Sequence, residues 1–343
     1  MNITILGENS TALAAASYFD LQKIPYKLFV SDEKKKDVWN KSPLKVKGKI
    51  ETSLYLPLIT SWKGAVDYGD VILICSHPVD YEKVVEEAAP LLHEGQTLLF
   101  MNGYWGAIKA FRILSRMKMP PLTIAETASM PWIAELSEDF KVLDFRGMEE
   151  NVGYASMGDE KNLSDLLHQM FQKVSRVSNP AAASLSNTDP ILYVPSCFFH
   201  LPAIEKGEDL LLFQGLTPKM ASYIESCDNE RMAVAKALSI NLSVGLLDML
   251  NSSLKEKKNS LYEAIRENPV LKDMKGPKGL DASCFSRDLY CGLAGLRDLA
   301  DMMHVETPHI QSLVSTLSLY LGKPCLPFLT PKDLRAIKMV KSF

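Results

Sequence analysis

The stretch MNITILGENSTALAAASYF (residues 1–19) indicates the fold class. Residues 3–6 fit a buried strand, Gly7 begins a turn, and the alanine-rich run from Ala12 fits a helix packed closely on a sheet. This strand, turn and helix are typical of a dinucleotide-binding unit, except that Asn9 replaces the central glycine. Because that glycine normally lets the backbone approach a pyrophosphate, the sequence leaves open whether a nicotinamide cofactor still binds.

Length and charge limit the class of protein. A chain of 343 residues predicts two domains, since single cores stop growing at roughly 250 to 300 residues. The net charge of -3 and the pI of about 6.1 give no reason to expect nucleic acid or an anionic membrane as a partner. The sequence shows neither a cationic leader nor an apolar segment approaching ~18 residues, so a cytoplasmic location without a membrane span is expected.

The cysteines and histidines show no metal-binding pattern. Six cysteines are scattered without a CxxC pair, which predicts reduced, buried thiols rather than disulfides. The six histidines are equally dispersed and form no helical ligand pair. No metal site is therefore predicted.

Alternating strands and helices extend from the start of the chain to about residue 180. Five segments are strand candidates: NITILG, YKLFVS, DVILICS, QTLLFM and LTIAET. Helical patterns lie between them, which predicts an α/β fold with a Rossmann-type, doubly wound parallel sheet over residues 1–180. The segment KVLDFRGMEENVGYASMGD predicts two further strands, and LSDLLHQMFQKV predicts a closing helix.

The remainder, residues 181–343, is predicted to be a mainly α-helical domain. The connector SNPAAASLSNTDP precedes it, and strand patterns then disappear. Thr217 is a plausible N-cap with Pro218 at the first helical position, and GLRDLADMMHV and TPHIQSLVSTLSLYLG begin in similar ways.

Ligands of open parallel sheets bind at the carboxyl ends of the strands. The predicted cofactor-binding residues lie there: Gly7, Glu8, Asn9, Ser10, Thr11, Ser31, Asp32, Lys34, Ser76, His77, Asn102 and Gly103. Asp32 at the end of the second strand would favour NAD, whereas Ser31 with the lysines at 34–36 would surround the 2'-phosphate of NADP. The lysine run favours NADP slightly, although such a run is also typical of a solvated face.

Four segments resemble the opine dehydrogenases, the octopine/nopaline dehydrogenase family. They are VILICSHPVDYEKVVEEAAPLLHEGQTLLFMNGYWGAIKAF, IAETASMPW, LTPKMASYIESCDNERMAVAKAL and RDLYCGLAGLRDLADMMHVETP, in the family's order. The resemblance implies a Rossmann domain, a helical catalytic domain, and NAD(P)H-dependent reductive condensation of an α-keto acid with the amino group of an amino acid. A homodimer is a further expectation.

The resemblance also implies catalytic residues, and the chain departs from two of them. Asp288 matches the aspartate that orients the family's catalytic histidine, but Tyr193 stands where that histidine is expected, and His200 follows seven residues later. Ser283 replaces the family's arginine. The predicted catalytic residues are therefore Tyr193, His200 and Asp288, with either Tyr193 or His200 as the proton donor.

Three residues are substrate candidates. Glu126 and Thr127 follow a strand, and Arg231 is a possible carboxylate clamp, although with Asp228 and Glu230 it fits a structural charge network equally well. Two alternatives to an opine dehydrogenase stay open: a non-catalytic nucleotide-binding or sensing protein, and a ketopantoate- or hydroxyacid-type reductase. The latter would need a catalytic lysine on a helix.

Overall fold

A computed structural model describes residues 1–149, 151–158, 160–242 and 244–340. The chain divides into two compact units. The first comprises Met1–Ser184 together with the chain end from Met339, and the second comprises Leu185–Lys338. The division between them falls within a helix, Pro180–Ser186.

Most strands of the first unit belong to one sheet. In chain order the described strands are β1 (Ile3–Leu6), β2 (Tyr26–Phe29), β3 (Leu44–Gly48), β4 (Thr52–Leu54), β5 (Leu58–Ile59), β6 (Val71–Ile74), β7 (Thr97–Phe100), β8 (Thr123–Thr127), β9 (Trp132–Leu136), β10 (Val142–Met148), β11 (Asn151–Met157) and β12 (Lys173–Arg176). Within the described residues, eight of them pair in the order β12-β11-β8-β7-β6-β1-β2-β5. All neighbours are parallel except β11 and β8. The predicted doubly wound sheet and its five predicted strands are confirmed.

Helices flank this sheet and make up most of the second unit. In chain order they are α1 (Ser10–Gln22), α2 (Glu33–Lys41), α3 (Trp62–Tyr68), α4 (Tyr81–Ala88), α5 (Gly106–Leu114), α6 (Lys161–Met170), α7 (Pro180–Ser186), α8 (Asp189–Phe199), α9 (Leu201–Glu205), α10 (Pro218–Ala237), α11 (Leu246–Asn251), α12 (Leu261–Glu267), α13 (Ala294–Met303), α14 (Pro308–Tyr320) and α15 (Pro331–Val340). A π-helix, Cys284–Leu293, leads directly into α13. Alanines 12 and 14–16 of α1 are fully buried, as its alanine-rich sequence predicted.

A second, four-stranded sheet was not predicted. It has the order β4-β3-β10-β9. Two strands were expected in KVLDFRGMEENVGYASMGD and two are present, but β10 joins the small sheet and β11 joins the main one. The lysines of β3 are exposed and β4 is only three residues long, so neither carried a clear strand pattern.

The closing helix of the first unit is shorter than predicted. The pattern LSDLLHQMFQKV indicated a helix as far as Val174, but α6 ends at Met170 and Lys173 begins β12. Here β12 pairs in parallel with β11, and this tertiary pairing outweighs the local helical pattern.

The second unit is helical, as predicted. The Thr217 hydroxyl accepts a hydrogen bond from the backbone N–H of Met220 at 3.3 Å, so Thr217 is the N-cap of α10. Helix α8 continues through Pro195 to Phe199. Among the described residues, no helix is both long enough and apolar enough to cross a membrane.

Candidate functional site

A cavity of about 370 Å³ opens at the carboxyl ends of β1, β2 and β6. Six of the predicted cofactor-binding residues line it: Gly7, Glu8, Asn9, Ser31, Ser76 and His77. Ser10, Thr11, Asp32, Lys34, Asn102 and Gly103 are not among its lining residues. The location is the one at which open parallel sheets bind dinucleotides.

Gly7 lets the first turn pass close to the neighbouring strand. Its φ is +151°, which favours glycine, and a Cβ there would lie 2.9 Å from the carbonyl carbon of Cys75. Real Cβ atoms essentially never approach so closely. The glycine is therefore required by the turn itself, as the motif predicted.

Both polar atoms of the Asn9 side chain are hydrogen-bonded within the first unit. Its Oδ1 accepts from the backbone N–H of Ala12 at 3.0 Å, and its Nδ2 donates to the carbonyl of Cys75 at 2.7 Å. Its backbone is extended, with φ of -131° and ψ of 179°. Asn9 thus caps α1, whose first-turn amides at Ser10 and Thr11 have no intrahelical partner and suit a phosphate.

The carboxylate of Glu8 lies at the end of β2. It accepts hydrogen bonds from the Ser31 backbone N–H, from Ser31 Oγ at 2.8 Å, and from the Asp32 N–H at 3.2 Å. The Lys35 ammonium donates to the Glu8 carbonyl at 2.8 Å and lies 4.0 Å from its carboxylate.

The three lysines do not form the phosphate site that their sequence suggested. Lys34 and Lys35 lie over the ring of Phe140, at 5.3 and 5.4 Å from its centroid, and Lys36 pairs with the Glu33 carboxylate at 2.6 Å. Of the three, only Lys35 lines the cavity. The geometry therefore removes the reason for the slight preference for NADP.

Asp32 does not present its carboxylate to the cavity. Oδ1 accepts from the backbone N–H of Lys35 at 3.0 Å, which makes Asp32 the N-cap of α2. This backbone hydrogen bond lowers the pKa of Asp32, and the charges of Lys35 and Lys34 contribute. The acid that reaches the β2 end of the cavity is Glu8 instead.

Several lining residues were missed from the sequence. Phe29 ends β2 and Trp62 begins α3, and their ring centroids are 4.6 Å apart. Asp80 and Lys83 also line the cavity. The position of Phe29 at a strand end was a usable signal, whereas Trp62 depended on α3, which carried no predicted pattern.

Asn102 and Gly103 belong to an unusual loop after β7. Four successive residues, 102–105, have positive φ values of 75°, 51°, 55° and 67°. Thr127 Oγ1 accepts from the Asn102 N–H at 2.7 Å, and Ser184 Oγ accepts from the Trp105 N–H at 2.8 Å. Left-handed backbone is costly for residues other than glycine, so these hydrogen bonds hold a strained loop in place.

Glu126 and Thr127 support this loop from within the first unit. Both are fully buried, and the Glu126 carboxylate accepts from Ser184 Oγ at 2.5 Å and from the Ala107 N–H at 2.9 Å. Burial raises the pKa of Glu126 to about 7 against the effect of these hydrogen bonds. This geometry does not support the predicted substrate contacts for Glu126 and Thr127.

In the second unit, the ring of His200 packs against Gly215. A Cβ at Gly215 would lie only 2.6 Å from Cε1 of the imidazole. Burial lowers the pKa of His200, opposed by a backbone hydrogen bond at Leu212. Within the described residues, Nε2 of this histidine is buried without a hydrogen-bond partner. The ring is thus held neutral near pH 7, with a nitrogen able to accept or donate.

Tyr193 lies on the preceding turns of α8. Its hydroxyl donates to the sulfur of Met274 at 3.3 Å, and its ring meets Phe213 edge to face at 5.6 Å between centroids. A phenol titrates far above neutral pH in its ordinary state, so it is a poor base there.

Asp288 belongs to a group of charged side chains on the π-helix and α8. The side chain of Asp288 is 2% exposed, and its Oδ1 accepts from Arg287 Nε at 2.7 Å. Burial, with repulsion from Asp288, raises the pKa of Asp189 to about 6, and Arg287 opposes this rise. Asp189 can therefore take up a proton at about pH 6.

Arg231 is buried and bonded to other residues of the second unit. Its side chain is 2% exposed; Nε and Nη2 contact Asp228 Oδ1 at 2.8 and 2.7 Å, and Nη1 donates to the Leu185 carbonyl at 2.6 Å. Asp228 Oδ2 in turn accepts from the Leu246 N–H at 2.7 Å. The predicted substrate contact for Arg231 is not supported, and the alternative, a structural charge network, fits.

Comparisons with known proteins agree with this arrangement. A family model described as NAD/NADP octopine/nopaline dehydrogenase, alpha-helical domain, matches residues 176–321. An opine dehydrogenase of Arthrobacter sp. (strain 1C) is 27% identical over 266 residues, which is 76% of this chain and 74% of the relative. An opine dehydrogenase of Haliotis discus hannai is 23% identical over 294 residues, or 76% and 71% of the two chains.

Solved structures share the fold. Octopine dehydrogenase with NADH and L-arginine has a TM-score of 0.75 at 14% identity, covering 97% of this chain and 92% of that one. Yersinopine dehydrogenase with NADP⁺ has a TM-score of 0.70 at 13% identity, covering 100% and 99%. A ketopantoate reductase from Ralstonia eutropha JMP134 has a TM-score of 0.67 at 12% identity, covering 93% of this chain and 98% of that one.

Proposed function

This chain belongs to the opine dehydrogenase family, and on that premise we propose that it is an NAD(P)H-dependent oxidoreductase. Its proposed reaction is the reductive condensation of an α-keto acid with the amino group of an amino acid. The observation that carries the proposal is the capping geometry of Asn9. Although the central glycine is absent, both polar atoms of the replacing side chain are hydrogen-bonded within the fold, to Ala12 and Cys75, which supports a turn that still accepts phosphate.

Residues of the first unit would hold the cofactor. Ser10 and Thr11 offer first-turn amides to the pyrophosphate, and Gly7 permits the close turn. Glu8 and Ser31 lie at the ribose end of the cavity, beside the aromatic pair Phe29 and Trp62. When bound, a reduced nicotinamide supplies a hydride for the carbon of an imine.

We assign the proton-carrying role to His200. The Tyr193 hydroxyl is engaged with the Met274 sulfur, whereas His200 Nε2 is buried with no hydrogen-bond partner in the described chain. A neutral imidazole can give or take a proton near pH 7, which a phenol does poorly. Asp189, whose pKa is raised to about 6, lies near Asp288, and Asp288 stands in the position that the family uses to orient its histidine.

Binding of the substrate carboxylates requires positively charged side chains. Ser283 stands where the family has an arginine, and Arg231 is committed to Asp228. Arg287 places a guanidinium beside Asp288 with 22% of its side chain exposed. We therefore propose Arg287 as a carboxylate-binding residue, because guanidinium groups match carboxylates in a bidentate manner.

Fluorescence titration with NADH and NADPH, followed by turnover assays, tests the proposed function. Oxidation of the reduced cofactor is measured with a keto acid such as pyruvate, with and without a panel of amino acids. The proposal requires oxidation that depends on both substrates. Oxidation with the keto acid alone would instead support a hydroxyacid-type reductase. The fold of this chain is also similar to that of a ketopantoate reductase.

A second candidate is a nucleotide-binding protein without catalysis. The specific observation in its favour is that Tyr193 and Ser283 replace the imidazole and the arginine that the family's chemistry uses. Tight cofactor binding with no turnover on any substrate pair would support it. Failure to bind either cofactor would contradict both candidates.

The predicted homodimer and cytoplasmic location are also proposals. Light scattering tests the dimer directly. The cysteines are free thiols, five of them buried, which suits a reducing compartment, and fractionation of cells tests the location.

A further inference from the structure

The carboxylate of Glu8 fills an anion-binding position made by the chain itself. Three donors converge on it: the backbone N–H groups of Ser31 and Asp32, and the Ser31 hydroxyl at 2.8 Å. Only 14% of the Glu8 side chain is exposed. The group is therefore held in one position rather than extended into solvent.

At this position a dinucleotide-binding site distinguishes NAD from NADP by the group on the 2' carbon of the ribose. In the usual arrangement, an acid just beyond β2 accepts the ribose 2'-hydroxyl, or a basic residue there holds the 2'-phosphate. Here the acid beyond β2, Asp32, caps α2. Glu8 supplies a carboxylate to the same place from the glycine-rich turn.

We infer that Glu8 is the specificity-determining residue of the cofactor site and selects NADH over NADPH. This inference rests on the proposed function, because it assumes that the cavity binds a nicotinamide dinucleotide. The carboxylate can accept the 2'-hydroxyl of NADH. A 2'-phosphate at this place would meet a like charge and would compete for the Ser31 and Asp32 donors that Glu8 already uses.

The nearest cation does not reverse this preference. Lys35 donates to the Glu8 carbonyl at 2.8 Å and lies 4.0 Å from its carboxylate, so its charge is largely matched within the turn. Lys34 and Lys36 are held by Phe140 and Glu33. Lys83 of α4 also lines the cavity, and it is the cation that the 2'-phosphate of NADPH would have to contact.

Dissociation constants for NADH and NADPH test the inference in three proteins: the wild type, Glu8→Gln and Asp37→Asn. Trp62 lines the cavity, so quenching of tryptophan fluorescence gives the readout. We expect the wild type to bind NADH more tightly. Glu8→Gln keeps the shape and the acceptor oxygen but removes the charge, so the NADH-to-NADPH preference should shift toward NADPH by about ten- to a hundredfold.

Asp37→Asn removes an exposed carboxylate of α2 that pairs with Lys41 at 3.3 Å rather than with a lysine of residues 34–36, and it should leave that ratio unchanged. Tighter binding of NADPH by the wild type would overturn the inference without any variant, and so would an unchanged ratio in folded Glu8→Gln. Either of these results leaves the proposed function intact. Binding of neither nucleotide by the wild type contradicts the proposed function itself, and with it the inference.

Discussion

The buried carboxylate of Glu126 accepts a hydrogen bond from the Ser184 hydroxyl at 2.5 Å, and the same hydroxyl accepts from the Trp105 N–H at 2.8 Å. Glu126 thereby connects α7 to the left-handed loop 102–105. Loops that carry such strain persist only where surrounding contacts fix them, and they often occur at functional sites.

We predict a pH-dependent stability from this residue. Burial raises the pKa of Glu126 from 4.5 to about 7, so between these values the folded chain holds a proton that the unfolded chain releases. The Glu126 contribution to the free energy of unfolding is therefore full below about pH 4.5 and is lost as the pH rises through 7. Thermal unfolding of Glu126→Gln should lack this dependence.

Glu87→Gln is the matched control for that measurement, because Glu87 is exposed on α4 in the same unit. Its pH profile should follow the wild type. Identical profiles for Glu126→Gln and the wild type would show that Glu126 does not titrate in this range.

Gly7→Ala should destabilise the first unit. The new Cβ would lie 2.9 Å from a backbone atom of Cys75, and the φ of +151° is unfavourable for alanine. We expect a loss of about 1 to 3 kcal/mol in the free energy of unfolding by urea. Gly147→Ala serves as the control, because its nearest neighbour would be 3.9 Å away; equal effects at the two sites would contradict this explanation.

Asn9→Ala separates capping from cofactor binding. It removes the N-cap of α1 and the hydrogen bond to Cys75, so stability should fall by about 1 to 2 kcal/mol. Because both polar atoms of the side chain are already hydrogen-bonded within the fold, the NADH dissociation constant of the folded variant should change by less than about threefold. A much larger loss of affinity would place the Asn9 side chain at the phosphates.

His200→Gln tests the proton-carrying role. Burial lowers the pKa of His200 below its ordinary 6.5. The pH profile of the wild-type rate should therefore show a limb, which is the titration of this imidazole, below pH 6.5. The variant should lose about a hundredfold or more in kcat and also lose the limb. His168→Gln, at an exposed histidine of α6, should retain both, and a wild-type pH profile in His200→Gln would exclude the assignment.

Arg231→Met should act on stability rather than on substrate binding. It leaves the Asp228 carboxylate buried without its guanidinium, which costs about 3 to 5 kcal/mol. Where the variant remains folded, its KM for the keto acid should match the wild type. A raised KM with unchanged stability would restore Arg231 as a substrate contact.

Local patterns were sufficient for much of the first unit and for the start of one helix in the second. The five strands from NITILG to LTIAET and the Thr217 cap of α10 are set by neighbouring residues, through burial periodicity and helix capping. The small sheet was missed because β3 and β10 pair across about a hundred residues, and β12 because pairing with β11 overrides a helical pattern. No local signal encodes such pairings.

The sequence by itself determined the Rossmann-type unit and the helical unit and carried the resemblance to the opine dehydrogenases, since these follow from patterns and motifs read along the chain. Only the tertiary structure decided which side chains face the cavity. Asn9 is held by Cys75, 66 residues away, and Glu8 by Ser31, 23 residues away. A polar side chain can either cap a helix or accept hydrogen bonds from backbone amides at a strand end. Which of these it does depends on which donors the folded sheet brings within hydrogen-bond distance.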